Sequence, residues 1–281
     1  MKLGVRVHDL GRNTPEALAK TAKEIGFEAV QLVVSKAITG EGPIPTELND
    51  HKVKYLADCF HKEGLEIAML GAYFNPVHEN KDKVKAGFDN FSNFLAYEHK
   101  FGAKYVGSET GSFNNEPWIY HPKNRTEEGF LQTVVVFKKL AEVADKYDAK
   151  IALEGAFGHV CYEPKVLRRL YDLIGSKSIY FTIDLYNYLD ISNYTHYLDI
   201  LDEAIKVLGD RTVIFHLKDF VVENNKLVQK DIGQGLLDYK TVLQKMLACN
   251  KDAYFIFEGN SKDGMQASYN FIKKIENEVT K

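Results

Sequence analysis

The run Lys150-Ile151-Ala152-Leu153-Glu154 is a short apolar stretch that ends on a carboxylate. A polar loop follows, then an amphipathic segment from Glu163 to Ile174 that stops at Gly175. The first part has the length of a buried strand and the second the apolar period of a helix. Outward in both directions the same unit recurs. Strands are expected at Leu3–Val7, Ala29–Val34, Glu66–Gly71, Tyr105–Ser108, Lys150–Glu154, Ile179–Asp184, Thr212–Leu217 and Ala253–Glu258. Each is followed by a helix. The first opens at Thr14-Pro15-Glu16, a capping side chain with proline in the first turn. The others are expected over Thr46 to Lys62, Lys81 to Lys100, Thr126 to Tyr147, Glu163 to Ile174, His196 to Leu208, Asp238 to Leu247 and Gly264 to Val279. Gly26, Gly64, Gly102, Gly175 and Gly209 stand where a left-handed residue ends a helix at little cost.

Eight such units in 281 residues fit a closed (β/α)8 TIM barrel, for which roughly 250 residues is typical. No proline-rich linker or shift of composition divides the chain, so residues 1–281 are expected to form a single TIM-barrel domain. The rival is a doubly wound open sheet, which usually carries a glycine-rich turn after its first strand. Here that position reads His8-Asp9-Leu10-Gly11-Arg12, with no GxGxxG. The barrel is the expected fold.

Composition narrows the partners. The chain is 45% hydrophobic and 27% charged, with 36 basic against 39 acidic side chains and a formal net charge of −3. This is a globular balance, and it offers no field for gripping nucleic acid or an anionic membrane surface. The longest apolar run, Ile67 to Phe74, stops at Asn75-Pro76, far short of the roughly 20 residues of a membrane span. Arg6 and His8 interrupt the amino-terminal apolar run, which therefore does not read as a signal peptide. Cys59, Cys161 and Cys249 share no metal-type spacing, and Cys59 and Cys249 fall in apolar helical stripes as core filler. A reduced, cytoplasmic setting is expected.

Four strands end on a group able to bind a metal: Ile151-Ala152-Leu153-Glu154, Phe181-Thr182-Ile183-Asp184, Val213-Ile214-Phe215-His216 and Phe255-Ile256-Phe257-Glu258. They are one strand-helix unit apart, so in a barrel they come from adjacent strands at one height and converge on the mouth. Three carboxylates gathered there repel one another unless a cation or shared protons compensate. Three carboxylates with one imidazole form a hard, oxygen-dominated set. It suits Mn²⁺, Mg²⁺ or Co²⁺ with open positions better than closed tetrahedral zinc.

The chain resembles the xylose isomerase-like barrels of the sugar phosphate isomerase/epimerase group, which includes ketose 3-epimerases and inosose dehydratase. The resemblance covers essentially the whole chain. It rests on Gly26-Phe27-Glu28-Ala29-Val30-Gln31, Gly71-Ala72-Tyr73-Phe74-Asn75-Pro76-Val77-His78 and Gly107-Ser108-Glu109-Thr110-Gly111. Ile183-Asp184-Leu185-Tyr186-Asn187, His216-Leu217-Lys218-Asp219 and Gly233-Gln234-Gly235-Leu236-Leu237-Asp238 complete it. It implies one divalent ion on Glu154, Asp184, His216 and Glu258, with Mn²⁺ first and Mg²⁺, Co²⁺ or Zn²⁺ as alternatives. It also implies an isomerase or epimerase of a sugar or sugar phosphate, and a homo-oligomer. Moving a proton at the carbon next to a carbonyl passes through an enediolate, whose oxygens a divalent ion can chelate. By analogy with the ketose epimerases, Glu154 and Glu258 are the acid-base pair as well as ligands.

Further substrate contacts are expected from Lys218, two residues beyond His216, and from His159 in the loop after the fifth strand. Glu109, Asn75, His78, Asn187 and Gln31 lie near the carboxyl ends of strands, where barrels keep their chemistry. Trp118 and Tyr120 are candidates for an apolar wall, and the N–H groups of Gly233 and Gly235 for phosphate donors. Three other readings compete. A dehydratase of an inosose-like polyol ketone uses the same first steps but loses water. A non-catalytic sugar-binding barrel does not require the full ligand set. Abasic-site endonuclease relatives need more histidines, and Asn187 stands where that branch has one.

Overall fold

A computed structural model describes residues 1–42, 46–116 and 118–280. Eight parallel strands close into a barrel in the order β1-β10-β7-β6-β5-β4-β3-β2. They are β1 (Lys2–Arg6), β2 (Ala29–Leu32), β3 (Glu66–Gly71), β4 (Tyr105–Glu109), β5 (Ile151–Glu154), β6 (Ile179–Asp184), β7 (Thr212–Leu217) and β10 (Tyr254–Phe257). Around them lie α1 (Pro15–Ile25), α3 (Asp50–Lys62), α4 (Lys81–Phe101), α5 (Glu127–Tyr147), α6 (Pro164–Ile174), α7 (Tyr197–Leu208), α8 (Tyr239–Cys249) and α9 (Met265–Val279). Among the described residues no helix is long and apolar enough to cross a membrane.

Local chemistry sets the helix ends. Thr14 accepts the Ala17 N–H with Pro15 opening α1, and Gly26 leaves it at φ +115°. That conformation carries a Cβ penalty for other residues. The third helix starts at Asp50 rather than Thr46, because Asn49 takes the cap and accepts the Lys52 N–H. Gly209 is not left-handed: its φ is −59°, and it opens a one-turn helix, Gly209–Arg211. The second strand ends at Leu32, after which the chain coils into the short α2 (Val34–Ala37).

One element departs from the eightfold repeat. After β7 the chain forms an antiparallel hairpin, β8 (Asp219–Glu223) and β9 (Lys226–Lys230). Its tip is Asn224-Asn225, at φ +49° and +58°. Two left-handed residues make the turn whose twist suits a tight hairpin, and asparagine tolerates them.

The main core lies between strands and helices, where Phe27, Phe60, Phe91, Phe137, Phe181 and Phe257 are fully buried. A smaller cluster of Ala29, Ala68, Met69, Ala152, Ile214 and Ile256 forms a second buried group. Met69 fits because β4 has glycine beside it: a Cβ on Gly107 would lie 2.0 Å from the Met69 sulfur. Cys59 and Cys161 are buried free thiols.

Glu98 of α4 is 1% exposed, and its carboxylate accepts the Lys150 N–H at 3.1 Å. Burial pushes its pKa up to about 7. A raised acid binds its proton more tightly in the folded state, so its contribution is full at low pH and is lost as pH rises toward 7. Glu98→Gln keeps an acceptor for Lys150 without the charge. We expect it to gain about 2 kcal/mol over the wild type at pH 8 and almost nothing at pH 5. Urea unfolding at the two pH values checks this, and equal effects would contradict it.

Candidate metal centre and active-site cavity

The register of the strands gathers the four strand-end candidates Glu154, Asp184, His216 and Glu258. Asp184 pairs with His216, but Glu154 pairs with Thr182 and His216 with Ile256. Asp184 and Glu258 thus stand two residues beyond the partners of the preceding ligands. With the step of zero from Glu109 to Glu154, the steps of zero, two, zero and two average one residue per strand, the slant of a sheared barrel. Glu109 pairs with Glu154 and brings a further carboxyl to the same rim.

Glu154, Asp184 and His216 are buried, and each offers a ligand atom within 4.8 Å of the others. Glu258 stands beside this group, level with Lys218. Its Oε2 is 3.2 Å from His216 Nδ1, while its Oε1 is 2.7 Å from both Lys218 Nζ and Arg6 Nη1. Lys218, 7% exposed, also reaches Asp184 Oδ2 at 2.7 Å and donates to Asn187 Oδ1 at 3.1 Å. Asn187 in turn donates to Glu154 Oε1 and, at 3.5 Å, to Glu109 Oε1.

The orientation of His216 is set from behind. Its Nε2 lies 2.8 Å from Gln31 Oε1, and the Gln31 amide nitrogen donates to the Tyr73 hydroxyl at 2.9 Å. An amide oxygen only accepts, so Nε2 carries the hydrogen and Nδ1 faces the carboxylates. Nδ1 lies 3.4 Å from Glu154 Oε2 and 3.4 Å from Asp184 Oδ2. Among the described residues, His216 Nδ1 is a buried atom with no hydrogen-bond partner, and the buried Asp184 Oδ2 is answered by the Lys218 ammonium at 2.7 Å. A buried polar atom left in this way calls for an explanation. A cation among these groups would supply one, so these donors fit a divalent ion, and Gln31 stands where an outer group would orient a metal-binding imidazole.

The electrostatics divide the site. Burial opposes ionisation of Asp184 and Glu258, but Lys218 and His216 outweigh it and hold both carboxyls below the usual range. Burial wins at Glu154 and Glu109: it pushes Glu154 up, and Glu109 up to about 7. Burial alone would keep His216 neutral, yet Glu258, Glu154 and Asp184 raise its pKa to about 10. The protein thus answers its own carboxylates with His216, Lys218 and Arg6. That compensation is one the strand endings alone did not reveal.

Above the ligands opens a cavity of about 730 Å³, within the size usual for small-molecule sites. Glu154, Glu258, Lys218, Glu109, Asn187, Asn75 and His78 line it, as do Trp118 and Tyr73. Asn75 is committed to the chain: its amide donates to the Ser112 and Asn115 carbonyls, and its Oδ1 accepts the Val77 N–H. His78 Nδ1 accepts the Asn80 N–H. His159 is not on the wall. It is 4% exposed and packs edge-on to Trp118 at 5.8 Å, and burial holds its imidazole at about 4. Tyr120 lines a separate pocket around Arg125.

The expected phosphate donors are otherwise engaged. The N–H groups of Gly233 and Gly235 both donate to Asp219 Oδ2, at 3.0 and 2.9 Å, so this loop wraps a carboxylate of its own chain. Residues at the end of β1 and just after it were not among the site residues expected from sequence. Arg6 makes a bidentate pair with Asp9, and Asp9 accepts the Gly259 N–H at 2.7 Å, which closes a circuit around Glu258. The signal was present in Arg6-Val7-His8-Asp9, three polar residues at a strand's carboxyl end.

The model of the xylose isomerase-like TIM barrel family matches residues 19–275. Among solved structures, the apo form of 3-keto-D-glucoside 4-epimerase, YcjR, from E. coli superposes at TM-score 0.75 with 17% identity, covering 98% of this chain and 99% of that one. A D-tagatose 3-epimerase-like protein gives TM-score 0.75 at 18% identity, over 100% and 98% of the two chains. The IolI protein with a binding zinc atom gives 0.70 at 17% identity, over 99% and 98%. At such identities the likeness is one of fold. No curated protein sequence matches the chain. The family match spans nearly the whole barrel, and the chain belongs to the xylose isomerase-like TIM barrel family.

Proposed function

We propose that the protein is a divalent-metal-dependent isomerase or epimerase of a sugar, moving a proton at the carbon next to a carbonyl. The observation that carries this is the buried trio Glu154, Asp184 and His216, whose donor atoms lie within 4.8 Å of one another, with His216 Nδ1 lacking a hydrogen-bond partner. Glu258 completes the ligand set, and Mn²⁺ suits its oxygen-rich character. Bound there, a divalent ion supplies positive charge that lowers the cost of negative charge on the substrate's carbonyl oxygen. Glu154 and Glu258, on β5 and just past β10, reach the cavity from different strands, so one can take a proton and the other return one. Asn187 and Lys218 steady the two carboxylates and offer polar contacts to substrate hydroxyls.

A second reading draws on Glu109. Its carboxyl, raised by burial to about 7, keeps part of its protons near neutral pH and could protonate a departing hydroxyl, which would make a dehydratase. Mass separates the two, because elimination loses water and isomerisation does not. We expect Mn²⁺ titration calorimetry to show one ion per chain. In D₂O the loaded protein should place deuterium at a carbon next to the carbonyl of a ketose, with the skeleton unchanged. A protein that binds no divalent ion would overturn the proposal.

A further inference from the structure

We propose that Tyr73 is a catalytic residue of this site, its hydroxyl donating a hydrogen bond to the substrate's carbonyl oxygen as negative charge gathers there. The inference rests on the isomerase reading given above and adds to it a group of the protein that answers that oxygen.

Hydrogen-bond direction fixes what this hydroxyl can do. An imidazole that offers Nδ1 to a cation carries its hydrogen on Nε2. The His216 Nε2–H therefore donates to Gln31 Oε1 at 2.8 Å, and the Gln31 amide nitrogen donates to the Tyr73 oxygen at 2.9 Å. Gln31 is fully buried, and turning its amide over would set two donors face to face at His216. The Tyr73 oxygen thus accepts, and its own hydrogen is free to point elsewhere. Among the described residues that hydrogen is donated to no acceptor.

The ring is held in place. Tyr73 lies two residues past β3 and packs on Gly71, where a Cβ would come within 2.6 Å of the ring. The Lys36 ammonium stands 5.8 Å from the ring centre. Burial first, then Glu258, Glu154 and Glu109, hold the phenol well above its usual range, so the hydrogen stays on the oxygen. Tyr73 lines the cavity together with Glu154 and Glu258.

The rest of this wall is poor in uncommitted donors. Lys218 is turned to Asp184, Glu258 and Asn187, Arg6 to Asp9 and Glu258, and the Asn187 amide to Glu154 and Glu109. These hydrogens answer carboxylates of the chain itself, and the two glutamates proposed to move the proton present oxygens. A ketone oxygen on its way to an enediolate gains most from a donor that is already oriented and costs no reorganisation. The Tyr73 O–H meets that need without giving up its proton. One chain of hydrogen bonds, His216 to Gln31 to Tyr73, then holds both the imidazole that would bind the ion and the donor that meets the oxygen.

Tyr73→Phe keeps the ring and removes the hydroxyl. The test is deuterium exchange in D₂O, followed by proton NMR over a range of ketose concentrations, with D-fructose, D-tagatose and L-ribulose and the Mn²⁺-loaded protein. Tyr73→Phe should lower kcat about 100-fold and leave KM within about threefold of wild type. Titration calorimetry should find its Mn²⁺ affinity within about threefold of wild type, whereas Gln31→Met, which strips His216 of its acceptor, should lose at least about tenfold. Retained kcat in Tyr73→Phe, or a raised KM with kcat unchanged, overturns the role at the carbonyl oxygen. So does a Tyr73→Phe that loses Mn²⁺ affinity as Gln31→Met does, because Tyr73 would then act only through His216. A Gln31→Met that binds Mn²⁺ like the wild type breaks the chain on which the direction depends and also overturns it. A wild type that binds one Mn²⁺ but exchanges none of the three ketoses removes the isomerase reading together with this role. Wild-type exchange that Tyr73→Phe fully retains removes the role alone.

Discussion

Glu154→Gln and Glu258→Gln should each lower deuterium exchange into a ketose by at least about a thousandfold, and they should differ in what they do to the folded protein. Glutamine keeps the shape of each side chain and removes the group proposed to take or return a proton. Stability distinguishes the two. Glu258 is the shared partner of Lys218 and Arg6, each 2.7 Å from its Oε1, and its loss leaves two cations facing an amide. Breaking a buried pair on one side is costly, so Glu258→Gln should lose about 3 kcal/mol in urea unfolding under chelator. Glu154 is pushed up by burial, and a glutamine there can still accept from Asn187. Glu154→Gln should lose little or gain slightly. Turnover within tenfold of wild type in both variants would remove them as the acid-base pair and leave Glu109 as the next carboxyl to test.

The parts of this site that sequence revealed share one physical cause. A buried parallel strand is an apolar run, so a single polar residue at its end stands out, as Glu154, Asp184, His216 and Glu258 do. Their convergence follows from the barrel, because adjacent strands place their ends on one rim. What balances the four was harder to read. Lys218 looks from sequence like any lysine past a strand, and only the slant of the register sets it level with Glu258, between that residue and Asp184. Arg6 ends the first strand and Asp9 lies in the turn after it, and the bond from Asp9 to Gly259 spans 250 residues through barrel closure. Gly233 and Gly235 misled for the opposite reason. A glycine-rich loop reads as an anion cradle, and this one does hold a carboxylate, but it belongs to Asp219, whose oxygen a Cβ on Gly235 would meet at 2.0 Å. The hairpin Asp219–Lys230 stayed hidden because its tip is Asn-Asn rather than the Asn-Gly that marks such turns.

Lys218→Met is expected to destabilise the chelator-treated protein by about 3 kcal/mol, and Mn²⁺ should return most of that loss. The ammonium lies 2.7 Å from both Asp184 and Glu258 in a setting only 7% exposed. Methionine fills similar volume and leaves the carboxylates facing one another with His216 and Arg6 alone to offset them. A divalent ion on Glu154, Asp184 and His216 supplies the missing positive charge, so the variant should depend on metal for stability far more than the wild type does. For a chain of 281 residues the chelated variant should melt roughly 5 °C lower, with the gap closing on addition of Mn²⁺. The pH dependence has a definite sign. Lys218 helps hold Asp184 and Glu258 below the usual carboxylate range against their burial, and a depressed acid contributes stability above its unfolded pKa that is lost as pH falls through the folded one. Removing Lys218 moves that loss to higher pH, so under chelator the variant should unfold at less acidic pH than the wild type. A deficit of the same size with and without Mn²⁺ would assign Lys218 to packing alone, and with it would go the idea that this lysine and a metal ion answer the same carboxylates.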